Sequence, residues 1–195
     1  MQNKYNLIVA ADENWCIGNK GKLLDTFPDD MRFFRYMTST NCVVMGDNTQ
    51  RSLPNKYLKN RLNIVLCKDE SSIIENIIKP EDMNTTNICY IHDIPSVATA
   101  IDTFNQMQKN HMVYENLAHI RSENVFIIGG GQVYRQFLLN DLIDGVYLTK
   151  IHHKYDGDTF IPNLYDLGFK DYITLFENLT NPSGIKYDII YLKKR

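Results

Sequence analysis

Apolar residues fall along this chain in short dense runs separated by polar stretches, and the runs differ in period. Residues 5–11, 42–45, 62–67, 88–92, 125–128 and 145–152 are compact apolar runs of strand length. Between them, residues 27–37 and 96–107 repeat their apolar positions at helical spacing, with Val97, Ile101 and Phe104 inward on the second. Residues 172–179 and 185–193 are again strand-like, joined by Thr180-Asn181-Pro182-Ser183-Gly184, which reads as a hairpin turn. Strand and helix alternate early and the end is antiparallel. That order predicts an α/β fold: one domain, a mixed, mainly parallel sheet, helices on both faces and a C-terminal antiparallel hairpin. Two stretches stand apart. Residues 12–26 form a long polar loop of the kind used as a lid or binding loop, and residues 107–124 read as a surface excursion.

The densest signal is Val125-Phe126-Ile127-Ile128 running into Gly129-Gly130-Gly131 and then a helix with Val133, Phe137 and Leu138 on one side. Glycines let a ligand approach the main chain, and the helix start offers free N–H groups and a positive dipole end. The turn therefore suits a phosphate or pyrophosphate, or it is a tight connection with no ligand. A Rossmann fingerprint fits poorly, since Tyr134 stands where its third glycine would be. A weaker copy of the same logic is Gly46-Asp47-Asn48-Thr49, where capping alone is an alternative.

The helix at 27–37 has Pro28 suited to its first turn, Thr26 able to cap it, and two acids at its start. Asp29 has Arg32 three residues on, whereas Asp30 has Phe33, Phe34 and Met37 at i+3, i+4 and i+7. Asp30 thus points along the apolar side, where a lone carboxylate costs several kcal/mol and needs a structural partner or a ligand. Arg61 precedes a strand and offers a planar fork for a carboxylate, although an isolated Arg is more often a surface residue.

Composition narrows the partners. A formal charge of −2 and an isoelectric point near 6.2 provide no excess positive charge for nucleic acid or an anionic membrane. No run approaches the roughly 18 apolar residues of a membrane span and none resembles a signal peptide, so a cytoplasmic protein is expected. Cys16, Cys42, Cys67 and Cys89 are widely spaced and expected to be reduced and inert. His152 and His153 are adjacent on a strand and face opposite ways, so no metal site is expected.

Taken in order, residues 7–11, Ile17-Gly18, Phe27-Pro28-Asp29-Asp30 with Phe33-Phe34, Val43-Val44-Met45-Gly46, 58–66 with Arg61, residues 127–134, Leu148-Thr149, Gly157-Asp158-Thr159 and Gly184-Ile185-Lys186-Tyr187 resemble dihydrofolate reductase over nearly the whole chain. The resemblance implies an eight-stranded sheet, a cis Gly129–Gly130 bond, and NADPH-dependent transfer of hydride to C6 of dihydrofolate with protonation at N5. Asp30 would hold the pterin through its ring N–H and 2-amino group, with Thr149 orienting the carboxylate. Ile8, Val9, Met31, Phe34 and Ile128 would wall the ring pocket, and Arg61 would hold the glutamate α-carboxylate. Ala10, Ile17, Gly18, Gly46, Thr49, Lys68, Gly129, Gly130, Gly131, Gln132, Val133 and Tyr134 would hold NADPH. It further implies a monomer, with antifolates as inhibitors.

Three positions depart from the family pattern: Leu24-Asp25 where Pro-Trp is usual in the lid loop, Asp47-Asn48 where basic residues are common, and Gln50 in place of a tryptophan. A related reductase of another heterocycle, such as the pyrimidine of riboflavin synthesis, needs neither the pterin fork nor the glutamate clamp. A catalytically degenerate binding relative would suit Leu24-Asp25, but not the retention of Asp30, Thr149 and the three glycines.

Overall fold

In a computed structural model the described residues are 4–68, 71, 88–112 and 117–194. In chain order the elements are β1 (Lys4–Ala11), β2 (Cys16–Gly18), α1 (Pro28–Thr38), β3 (Cys42–Gly46), α2 (Asp47–Ser52), β4 (Leu62–Leu66) and β5 (Ile88–Ile91). There follow α3 (Pro95–Lys109), β6 (Asn124–Gly129), α4 (Gly131–Leu139), β7 (Gly145–Ile151), β8 (Thr159–Phe160), β9 (Phe169–Thr180) and β10 (Lys186–Lys194). The eight-stranded sheet has the order β5-β4-β3-β6-β1-β7-β10-β9, and β2 pairs with β8 in a small second sheet.

The chain gathers into two compact units, Met1–Lys4 with Thr38–Phe126 and Tyr5–Met37 with Ile127–Arg195. In the first, β3 runs parallel to β4 and β4 to β5, with Val44 opposite Ile64 and Val65 opposite Tyr90. Cys42, Val43, Val44, Met45, Ile64 and Val65 are all buried, as strands covered on both faces require. The helix α3 starts with Pro95 in its first turn and buries Val97, Ile101 and Phe104, the three positions its period marked.

In the second unit β1 runs parallel to β7, setting Leu7 opposite Val146 and Ala10 opposite Thr149. The strand β10 is antiparallel to both β7 and β9. This makes the expected hairpin, closed by Asn181 N–H to the Ile185 carbonyl at 3.0 Å and Gly184 N–H to the Asn181 carbonyl at 2.9 Å. The helix α4 buries Val133, Phe137 and Leu138 as its pattern predicted, and Tyr134 as well.

Several boundaries differ from expectation for local reasons. The stretch 12–26 is not wholly loop: Asp12 is buried, accepts from the Asn14 and Cys16 N–H groups at 2.8 and 2.9 Å, and turns the chain so that β2 can pair with β8. The helix α1 begins at Pro28, so the residue before it is Phe27, not the expected cap Thr26. The Phe27 ring is buried edge-on against Tyr187, with centroids 5.0 Å apart, in a cluster with Ile151. That packing sets how the chain enters the helix. Within 107–124, Met107 and Met112 are exposed as expected, but Ile120 is buried and residues 113–116 lie outside the described residues. Among the described residues no helix is long and apolar enough to cross a membrane.

Because Ile101 is fully buried in the middle turn of α3, Ile101→Ala should cost about 2–5 kcal/mol of stability. Urea unfolding followed by circular dichroism measures it, and a loss below about 1 kcal/mol would mean that the site collapses around the smaller side chain.

Candidate active site

In the second unit, α1 delivers Asp30 to β7, where the Thr149 hydroxyl donates to Asp30 Oδ1 at 2.5 Å. Thr149 is buried and sits between Ala10 on β1 and Ile189 on β10, so its own position is set by the sheet on both sides. Burial pushes the Asp30 carboxyl above the usual carboxylate range, and the Thr149 hydrogen bond pulls it partly back. Asp30 Oδ2 takes no hydrogen bond from the described residues. The amphipathic reading of this helix thus holds, and the partner is a threonine more than a hundred residues away in sequence.

Its neighbour Asp29 faces elsewhere. It pairs with Arg32, as their spacing predicted, and accepts from the buried Tyr187 hydroxyl at 2.9 Å. Arg32 and then Tyr187 hold the Asp29 carboxyl below its usual range. In turn, burial and the Asp29 carboxylate push the Tyr187 hydroxyl up to about 12. The first turn of α1 is therefore fixed at two adjacent residues, one tied to β7 and one to β10.

The glycine turn lies in the same unit. The Gly129–Gly130 peptide is cis, as the resemblance implied. Gly129 has φ +118°, which other residues rarely adopt, and a Cβ there would meet the Tyr134 ring at 3.3 Å. Tyr134 donates its hydroxyl to the Ile8 carbonyl at 2.8 Å. Burial, and then the Asp30 charge, push that hydroxyl well up. Tyr134 and Val133 thus direct their side chains into the protein, and what this turn presents is backbone. Gly130 precedes α4 without a side-chain cap, so the first N–H groups of the helix keep their donor capacity. A Cβ on Gly131 would stand 3.0 Å from Thr159 and 3.8 Å from Ile17, which brings Ile17 beside the turn.

Of the remaining expected residues in this unit, Ile8 and Val9 are buried, Ala10, Phe34 and Ile128 half-buried, and Met31 and Gln132 exposed. Gly18 is buried, and a Cβ there would press on the Lys22 carbonyl at 2.7 Å.

The first unit holds the other expected residues. Arg61 is only 6% exposed. Its guanidinium donates to Thr38 Oγ1 at 2.9 Å, to the Lys59 carbonyl at 2.7 Å and to Ser39 Oγ at 3.4 Å, so three neutral acceptors fix its plane. Asp47, which follows Gly46, accepts from the Asn48 N–H at 2.7 Å and pairs with Arg51 at 3.0 Å. Thr49 is half-buried and Lys68 exposed.

Sequence reasoning missed the hydrogen bonds that Asp12, Asp25, Tyr155 and Asn181 make and the Asp29–Tyr187 bond. Of these only Asp12 carried a local signal, an Asp at a strand end before a polar turn. The others depend on partners far apart in the chain.

A mostly parallel sheet, a first helix that ties a half-buried carboxylate to a strand threonine, and a glycine turn into a helix define the chain as an α/β protein. A family model described as dihydrofolate reductase matches residues 4–194, and the chain belongs to the dihydrofolate reductase family. The bifunctional dihydrofolate reductase-thymidylate synthase of Daucus carota is 31% identical over 189 residues, covering 92% of this chain and 32% of that protein. The dihydrofolate reductase of Heliothis virescens is 32% identical over 172 residues, 84% of this chain and 81% of that one. A solved structure described as dihydrofolate reductase from Enterococcus faecalis complexed with NADP(H) and RAB-propyl has a TM-score of 0.70 at 23% identity, covering 100% of this chain and 98% of that chain. The chain spans about a third of the length of the first curated relatives it matches, which are bifunctional.

The raised Asp30 pKa has a direct consequence for stability. Ionising Asp30 costs more in the folded chain than in the unfolded one, so its contribution is most favourable below the unfolded value. It is lost as pH rises through the higher folded value. Asp30→Asn lacks this dependence. Urea unfolding of both proteins over a pH series should show the variant gaining on wild type through that window and the difference levelling off above it. A difference independent of pH would contradict the burial argument.

Proposed function

We propose that this chain reduces dihydrofolate with NADPH, and that the half-buried Asp30 carboxylate is the observation that carries this reading. One Asp30 oxygen is shared with Thr149 and the other takes no bond from the described residues. A carboxylate so held can accept two parallel charge-assisted hydrogen bonds from the ring N–H and 2-amino group of a pterin. Burial strengthens that pairing and raises the carboxyl above its usual range, with the Thr149 hydrogen bond opposing the shift. We assign to Asp30 the role of holding the pterin so that N5 is protonated, with water as the immediate donor, and to Thr149 the role of orienting Asp30. Ile8, Val9, Met31, Phe34 and Ile128 are assigned to the ring pocket, where antifolates would compete. Arg61, planar and fixed, is assigned to the folate α-carboxylate.

The donor set at the glycine turn fits a dinucleotide: three glycines, an uncapped helix start, and Ile17 alongside. Bound NADPH would supply the hydride to C6. The backbone of Gly129, Gly130, Gly131, Gln132, Val133 and Tyr134 would hold its pyrophosphate, with Ala10, Ile17 and Gly18 nearby in the same unit. Gly46, Thr49 and Lys68, in the first unit, carry the cofactor-binding role that the family resemblance implies for them. Tetrahydrofolate production as a cytoplasmic monomer completes the reading.

The test is NADPH oxidation that depends on added dihydrofolate. Asp30→Asn exchanges one acceptor for a donor facing the pterin's donors, and turnover should fall by two or more powers of ten, about 2.7 kcal/mol or more. Full activity of Asp30→Asn at neutral pH would sink the assignment.

Cofactor choice provides a second test. The 2′-phosphate of NADPH carries about −1.5 to −2 charges at neutral pH. A unit charge ~6 Å away contributes between ~0.7 and ~3 kcal/mol, depending on the effective dielectric. The negative charge of Asp47 is answered by Arg51, so Lys68 should decide the balance in favour of NADPH. Lys68→Ala should cut the NADPH-over-NADH preference in kcat/KM by roughly threefold or more. An unchanged ratio would place the phosphate contact elsewhere.

A further inference from the structure

Every residue of β4 is buried, and one of them, Asn63, is polar. It is 0% exposed and lies between Val43 on β3 and Ile88 on β5. A primary amide taken out of water must find partners for its oxygen and its N–H groups. Asn63 finds them in the segment 58–61 that leads into its own strand. Its Oδ1 accepts the Leu58 N–H at 2.9 Å, and its Nδ2 donates to the Leu58 carbonyl at 2.9 Å and to the Arg61 carbonyl at 3.1 Å. The acceptor meets an N–H and the donors meet carbonyls, so the reversed amide would set like against like.

These bonds tie the two ends of the segment to one side chain. Between the ends Asn60 has φ +57°, a left-handed conformation that asparagine tolerates better than most residues. The Asn60 carbonyl accepts the Thr40 N–H at 2.8 Å, and the Leu62 N–H donates to the Asn41 carbonyl at 3.1 Å. The Arg61 side chain is held separately, its Nε on Oγ1 of the fully buried Thr38 and its terminal nitrogens on the Lys59 carbonyl and Ser39 Oγ. Lys59 belongs to the tied segment. Asn63 therefore fixes the backbone from which Arg61 extends and also one of the acceptors that set the plane of its guanidinium.

We propose that Asn63 is a positioning residue for Arg61, holding the segment 58–61 so that the guanidinium meets a carboxylate in a preset plane. The inference rests on the carboxylate-binding role proposed above for Arg61. A bidentate pair between arginine and a carboxylate depends on the orientation of both planes, and an arginine tied before its ligand arrives loses less freedom on binding. A leucine at position 63 would suit the apolar run of β4, but it could not hold Leu58 and Arg61.

Folate and its α-carboxamide differ only at the carboxylate assigned to Arg61, and titrations followed by protein fluorescence compare them. Wild type should prefer folate by roughly 30-fold, the scale of a hydrogen-bonded contact to a charged group. Asn63→Leu should cut that preference about fivefold or more while affinity for the carboxamide stays within about twofold. Asn63→Thr, a better strand former that keeps a hydroxyl, should cut it by a smaller factor in the same direction. In Arg61→Leu the preference should be gone, and adding Asn63→Leu should change folate affinity by less than about twofold, because both substitutions act on one contact. A lower melting temperature is expected of either role, whereas selective loss of the carboxylate preference is expected only of positioning. If Asn63→Leu does not fold, Asn63→Thr decides. Equal losses for both ligands, additive effects in the Arg61→Leu background, or failure of both Asn63 variants to fold would make Asn63 a residue of the fold alone and overturn the proposal. Wild type that does not discriminate between the ligands removes the role of Arg61 and this proposal with it. Discrimination that is present in wild type and untouched in the folded Asn63 variants overturns the positioning alone.

Discussion

A carboxylate on the apolar side of a helix must have its charge answered, and in this chain a threonine hydroxyl answers it. Transfer of an unpaired carboxylate out of water costs far more than any one contact returns, whereas a hydrogen bond to a charged group contributes about 1.5–3 kcal/mol. The Asp30–Thr149 bond therefore does not fully offset the burial, and the carboxyl remains displaced upward. Much of the second unit serves to hold these two groups together. The strand β7 is gripped by β1 on one side and β10 on the other, and the start of α1 is pinned by Phe27 in its apolar cluster and by Asp29 on Tyr187. A helix fixed at two successive residues to two different strands cannot rotate about its axis without breaking one of the bonds.

Most of the scaffold was legible in the sequence because its signals are local. Compact apolar runs marked the strands, and helical spacing marked Val97, Ile101 and Phe104, and Val133, Phe137 and Leu138, all of which are buried. Asp30 was legible for the same reason, since its helical neighbours at i+3 and i+4 are apolar. Its partner was legible only through family resemblance: Thr149 lies in a strand pattern that would accept any small residue. Phe27 shows the limit of local rules, because capping preference favours Thr26 whereas burial of an aromatic ring settles where the helix begins. The bonds that close the loop, Tyr155 and Asn181 onto Asp25, join residues more than a hundred positions apart and leave no periodic trace.

The glycine turn shows a different division between pattern and role. Tyr134 follows the glycines where a ligand-facing residue could be expected, yet its ring fills the space beside Gly129 and its hydroxyl is spent on the Ile8 carbonyl. That bond runs from α4 to β1, the strand that supplies Ile8 and Val9. Tyr134 therefore connects the turn to β1, and its contribution to any ligand passes through backbone placement. Only glycine can occupy position 129 under that ring at its positive φ.

The departures from the family pattern obey one physical rule with one exception. Asp25 and Asp47 put carboxylates where an aromatic or a basic side chain is usual, and each finds partners at once: Tyr155 and Asn181 for the first, Arg51 and the Asn48 N–H for the second. Gln50 is the exception. It is 3% exposed, donates to the Tyr90 hydroxyl at 3.1 Å, and has an Oε1 buried without a partner among the described residues. An unmet buried acceptor costs about 1–3 kcal/mol, comparable with the gain from a good hydrogen bond to a charged group. The polar changes thus divide by place. Those half-buried near the surface convert into new ties, such as Tyr155 and Asn181 onto Asp25, whereas the one deep in the first unit leaves an acceptor unmet. A surface carboxylate can recruit donors from mobile neighbours or water, but an amide enclosed by strands and a short helix must accept what the fixed backbone presents.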